Sequence, residues 1–329
     1  MGKQAPEEKT LRKVLTDVIN GYSFVEHEEE HAFVKHFGSK EQQELELHHD
    51  AIYKRAQRYG LPTKEEALQF VKDEGLWSDE EEHELNTNKN YFDTLKKTKK
   101  NLVIPSQIED IQKDIDEVKN KISIAEAKRN SLMSETCEGY AKNKSNDYSI
   151  YISFYKNKEC TEKLFSHDDF EQLTKEEISQ WFESYLNVTN HLTISNIKYL
   201  SISNIFSMYY NLLGAHNLYQ IIEKPVYDFS FYQLNLLNYS KVLHSIIENH
   251  SKIPEHIRKD PDELLNYAET ANKNKNMIKK SRDRQGYSVM GASEKDMKQM
   301  GVQDEGAITL NDLAKKKGNL TIEDFQQFA

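Results

Sequence analysis

Only two cysteines, Cys137 and Cys160, occur in 329 residues. Their spacing fits no metal motif, so they read as free thiols of a reducing compartment. Apolar residues are also scarce: the hydrophobic fraction is 37%, against roughly 45–50% in ordinary globular chains. No run approaches the ~18–20 apolar residues of a membrane span. Met1 to Thr10 is charged and no apolar core follows it, which excludes a signal-peptide pattern. No Walker loop or GxGxxG appears, which removes the usual support for a nucleotide enzyme. Neither cysteine sits in a nucleophile motif, and the all-helical context offers no strand-to-turn elbow. No catalytic residue and no cofactor are assigned.

Charge is abundant instead. Charged residues make up 30% of the chain and the formal net charge is −10. That balance argues against nucleic acid as the main partner. So much solvated surface on so small an apolar content points to long, thin helical parts. The expected fold is mainly α and elongated: an antiparallel coiled-coil hairpin arm, a helical core and a flexible C-terminal tail. The corresponding partition is 1–77, 78–135, 136–270 and 271–329.

The longest apolar stretch is Phe229 to Ile247. Ser230 and Gln233 have capping-box spacing, and Phe229 and Leu234 have that of a hydrophobic staple. Apolar residues crowd every face, which predicts burial on all sides. Phe231, Leu234, Leu237, Leu243 and Ile246 are its expected core residues.

Toward the N-terminus, Leu11, Val14, Leu15 and Val18 suggest a short amphipathic helix. Residues 21–25 and 32–34 read as a small β-hairpin across Glu28–Glu30, although a helix accepts the same residues. Leu45 to Tyr59 reads as a helix ending at Gly60. Thr63/Glu66 and Ser78/Glu81 are capping boxes that open the next two. Pro105 breaks the second of these, and Ser106 with Glu109 is the expected start of its successor. Along that successor Ile108, Ile111, Ile115, Val118, Ile122, Ala125 and Leu132 recur at steps of three and four. This is an a/d seam with Arg129 as its one charged intruder. Two such helices make an arm roughly 35–40 Å long.

Residues 148–155 read as strand or helix. Ser166/Asp169 and Thr174/Glu177 start helices, and a further one is expected from Ser195 to about Leu213. Asp260, Pro261 and Glu263 place an N-cap, an N1 proline and an acidic N3. After Ala271 short helical signals alternate with glycines, and Leu310, Leu313, Leu320 and Phe325 are the apolar anchors of a docking tail. Lys279, Lys280 and Arg282 lie in a basic stretch, 273–284, that could hold backbone phosphates. Nucleic acid through that stretch is the alternative partner. His27 and His31 have the i, i+4 spacing of a helical zinc pair. Their glutamate-rich surroundings read first as a solvated acidic face, and no metal is assigned.

Several short strings occur in a recognisable order. They are Gly75-Leu76-Trp77-Ser78 before an acidic run, Thr136-Cys137-Glu138-Gly139-Tyr140-Ala141, Phe229-Ser230-Phe231-Tyr232-Gln233, and Ile253-Pro254 leading to Asp260-Pro261-Asp262. The layout resembles proteins encoded among the virion and tail-morphogenesis genes of large tailed bacteriophages, over roughly residues 60–300. The resemblance implies a tail-assembly chaperone or a baseplate-associated structural protein. Its partners would be other phage structural proteins and copies of itself. It would work in the host cytoplasm during assembly, with retention in the virion as a further expectation. No site residue comes from the resemblance.

Overall fold

The computed structural model describes residues 5–27, 30–102, 104–250, 253–269 and 271. The chain is mainly α-helical with a small three-stranded antiparallel sheet built on an N-terminal hairpin. In order come α1 (Glu8–Asn20), β1 (Tyr22–His27), β2 (Glu30–Lys35), α2 (Ser39–Arg58), α3 (Lys64–Asp73), α4 (Asp79–Asn101) and α5 (Pro105–Leu132). Then follow α6 (Cys137–Ser153), β3 (Phe154–Tyr155), α7 (His167–Gln172), α8 (Lys175–Thr189), α9 (Ile194–Ile202), α10 (Asn204–Asn217), α11 (Phe231–Asn249) and α12 (Glu255–Arg258).

Helix starts follow local chemistry. A helix leaves its first N–H groups without internal partners, and a side-chain oxygen can accept from one of them. Ser78 does so for the Glu81 N–H at 3.1 Å, and the Glu81 carboxylate accepts from the Ser78 N–H at 2.9 Å. Thr174/Glu177 and Ser230/Gln233 form the same reciprocal pair. Two starts differ from the sequence reading. α5 begins at Pro105 behind Ile104, not at Ser106; proline lacks an N–H, so it occupies the first helical position without loss. The helix expected over 195–213 is two helices, because Ser203 is extended (φ −68°, ψ 153°), ends α9 and caps α10.

The described residues divide into two compact units, one of 5–67 with 135–265 and the other built on 68–134. In the first, Leu11, Val14 and Val18 of α1 are buried in one cluster with Ile197, Leu200, Phe206 and Leu236. The N-terminal residues therefore share a core with the later helices and do not form the separate 1–77 module that the sequence suggested. β1 pairs with β2 in the register Ser23↔Val34 and Phe24↔Phe33, and β2 pairs with β3 through Val34↔Phe154. Side chains alternate across a strand with period two. Val25, Ala32, Val34 and Phe154 face inward with Ile150 and Trp181. Tyr22, Phe24 and Phe33 pack edge to face on the other side, with centroids 5.3 and 5.6 Å apart. Residues 148–155 satisfy both readings of the sequence: helix through Ser153, then the two-residue strand.

α11 is less enclosed than its composition suggested. Gln233, Leu236, Leu237, Ser240 and Leu243 form its buried stripe. Leu243 is fully buried and Ile246 half-buried, but Phe231 and Leu234 are exposed. The physical reason is one-sided packing, with α9 the main neighbour and α1 and α10 lesser ones. Apolar content on every face did not translate into neighbours on every face.

In the second unit α4 and α5 pack antiparallel around a narrow seam. Leu95, Ile115 and Val118 are its buried centre, with Phe92, Ile111 and Ile122 against them. Nearer the open end Val71, Trp77 and Leu85 pack with Ile122, Ala125 and Leu132. α5 has 28 residues, or about 40 Å of helix at 1.5 Å per residue.

Candidate functional site

Three places in the described residues combine unusual chemistry with defined geometry. The first lies inside the first unit. Period-two alternation brings Ser23 of β1 and His36, just beyond β2, to the inward side of the sheet beside α1. The Ser23 hydroxyl donates to Asp17 Oδ2 at 2.9 Å and lies 2.9 Å from His36 Nε2. His191, in the α8–α9 turn, reaches the same Asp17 oxygen through Nε2 at 2.8 Å. The hydroxyl has a single proton and spends it on the carboxylate, so His36 Nε2–H must donate to Ser23 Oγ. Two donors therefore meet at Asp17 Oδ2: the Ser23 hydroxyl, which itself accepts from His36, and His191 Nε2–H.

All four residues are buried, Ser23 to 1% exposure and His36 to 4%. The Nδ1 atoms of His36 and His191 have no hydrogen-bond partner among the described residues. Burial pushes the His36 pKa down to about 4, the Asp17 charge opposes that, and His191 and Lys224 reinforce it. The serine lies between acid and base, so histidine does not bridge them as a nucleophile-activating triad requires. The group is an internal polar clamp joining α1, the sheet and the α8–α9 turn.

The second place is the hairpin of α4 and α5. Six of the seam residues named from sequence, Ile111, Ile115, Val118, Ile122, Ala125 and Leu132, pack in its two clusters, and Ile108 is half-buried toward the tip. The intruder Arg129 is 6% exposed. Its Nη1 donates to both Glu82 oxygens at 3.0 and 3.2 Å, and Trp77 Nε1 donates to the same carboxylate at 3.0 Å. Burial alone would raise the Glu82 pKa; the hydrogen bonds from Trp77 and Arg129 and the Arg129 charge more than reverse this and hold it below the usual value. Lys89–Glu126 at 2.7 Å and Lys99–Gln112 at 2.6 Å fix the same antiparallel register further along.

The third is the outer face of α2. Glu41, Leu45, His48, Ile52 and Ala56 mark its covered side, and α6 is its main neighbour. Leu47, Asp50, Ala51, Lys54, Arg55 and Arg58 point away and, with Tyr59, line one concavity. Leu47 is 65% exposed and Tyr59 76%. Among the described residues no carboxylate lies within ion-pair distance of Lys54, Arg55 or Arg58.

Other sequence expectations resolve simply. His27 and His31 lie on opposite strands of the hairpin, His27 across from Glu30 and His31 across from Glu26, so the helical HxxxH spacing does not exist. Among the described residues no group of three His, Cys, Asp or Glu side chains could hold a metal ion. Both cysteines are free thiols, and burial raises each pKa; Cys137 Sγ donates to the Leu61 carbonyl at 3.0 Å. No described helix is long and apolar enough to cross a membrane. Leu310, Leu313, Leu320 and Phe325, and Lys279, Lys280 and Arg282, lie outside the described residues.

Sequence reasoning missed the Asp17, Ser23, His36 and His191 clamp. Asp17 and His191 are 174 residues apart, a separation that no spacing rule reads. A local signal existed: Ser23 and His36 fall on the inward parity of strands whose other inward residues are Val25, Ala32 and Val34. No family model, curated protein or solved structure matches this chain.

Proposed function

We propose that the chain is a non-enzymatic bacteriophage tail or baseplate protein, structural or assembly-directing, that acts by docking to other proteins. The observation that carries the docking part is the hairpin of α4 and α5. A helical pair about 40 Å long spends most of its apolar residues on its own seam and leaves its outer faces, Tyr91 and Ile124 among them, exposed. The bacteriophage part rests on the order of short strings, from Gly75-Leu76-Trp77-Ser78 to Asp260-Pro261-Asp262, that resembles tail-morphogenesis proteins.

Fractionation of a native lysate, with mass spectrometry of the purified particles, tests this reading. Stoichiometric protein in the particles makes it structural. Occurrence only in smaller complexes with tail or baseplate proteins makes it an assembly factor. Absence from the particles and from every complex with virion proteins overturns the proposal.

A further inference from the structure

From the outward face of α2 we infer that the first unit binds an acidic amphipathic segment of a partner protein. The observation is a mixed stripe on one helix face. Leu47 and Ala51 supply an apolar end, Lys54, Arg55 and Arg58 three cations, and Tyr59 an aromatic edge where the helix stops. α2 turns its other side to α6, so this stripe is not the one that holds the helix in place.

Helix electrostatics account for part of the pattern. Cations in a last turn interact favourably with the helix dipole, and Arg55 and Arg58 are in that turn. That argument covers neither Lys54 nor two large apolar side chains, Leu47 and Tyr59, that are more than half exposed. It also leaves unexplained a local excess of positive charge on a chain whose formal net charge is −10. Asp50 is the one acid on the stripe, and it lies beside His49 at 3.5 Å.

Charge complementarity selects the occupant. Three cations within about one helical turn match carboxylates spaced at a turn of a partner segment. Leu47, about two turns before the first cation, and Tyr59, directly after the last, match apolar anchors at the two ends of such an amphipathic segment. A nucleic acid would use the cations but leave Leu47 and Ala51 unmatched; base stacking has Tyr59 alone. The inference deepens the docking reading by naming a surface and a partner chemistry. Its test uses purified chain, so its outcome is separate from that of the particle assay.

The probe is a fluorescein-labelled amphipathic peptide of repeated Leu-Glu-Glu triplets, titrated with the full chain at low and physiological salt. A Leu-Gln-Gln peptide and a labelled single-stranded oligonucleotide are the comparison probes. Binding of the acidic peptide, at least tenfold tighter than the Gln peptide and weakened by salt, is the expected result. The triple variant K54E/R55E/R58E should lose it. Leu47→Asp, far from the last turn and on an exposed position, should weaken it several-fold with an unchanged circular-dichroism spectrum, and serves if the triple variant fails to fold. Tighter binding of the oligonucleotide, equal binding of both peptides, no binding of the acidic peptide, or indifference to Leu47→Asp would each overturn the inference.

Discussion

Arg129 shows how one residue can break a pattern and still belong to it. In the seam reading it is a charge among isoleucines. In the fold it meets Glu82, whose carboxylate also accepts from Trp77 and Asn86. Removing one partner of a buried ion pair strands the other, at about 3 kcal/mol or more. Glu82→Gln should therefore cost stability of that order, read by chemical denaturation, whereas adding Arg129→Met should recover most of it. The depressed Glu82 pKa also has a sign: its contribution is fully present above the unfolded carboxylate value and is lost as pH falls through the folded one. His36 acts in the same direction by another route. It is buried neutral with a pKa near 4 against an ordinary 6.5. The unfolded chain binds a proton between those values and the folded chain does not, so stability falls as pH drops from about 6.5 to 4, by about 3 kcal/mol in all. Urea midpoints across that window should fall more steeply for the native chain than for His36→Gln; equal slopes would remove His36 as the cause. The parity that carries Ser23 and His36 inward could be read from residues 21–36, but their acceptor Asp17 and its second donor His191 come from other elements, and only the fold brings those together.

At the level of elements, the legible parts were those set by neighbours in sequence. Ser78/Glu81, Thr174/Glu177 and Ser230/Gln233 mark helix starts because a cap is a three-residue event. The a/d residues from Ile111 to Leu132 marked one seam because the packing partner repeats with the same period. What failed needed information from elsewhere in the chain: α11 is one-sided because α9 and α1 leave Phe231 and Leu234 uncovered, and the long helix expected at 195–213 divides at Ser203. Two tests belong here. Replacing Ile115 and Val118 together with Asp should unfold the α4–α5 hairpin and leave 194–249 ordered. In hydrogen exchange, protection should vanish over 79–132 alone; loss throughout would show that the hairpin does not fold as its own unit. Gly38 sits where β2 leads into α2, bridged to Ser230, and a Cβ there would lie 2.5 Å from the Phe229 carbonyl oxygen. Backbone cannot yield as a side-chain tip can, so Gly38→Ala should destabilise the first unit by about 1–3 kcal/mol, measured as a lower unfolding midpoint.

For the molecule as a whole, composition announced the division of labour. A chain with few apolar residues and much charge spends its apolar content on four small clusters: around α9 and α11 and behind the sheet in one unit, and two along the α4–α5 hairpin in the other. Such a chain has long solvated helical faces to offer to partners, and the proposed docking role rests on them. The direct test is cross-linking mass spectrometry on native assembly fractions, using the exposed hairpin lysines Lys97, Lys100 and Lys113 and the α2 residue Lys54. Reproducible cross-links from these lysines to tail or baseplate proteins are expected. Cross-links confined to the chain itself, in fractions that contain assembled tails, would contradict the account.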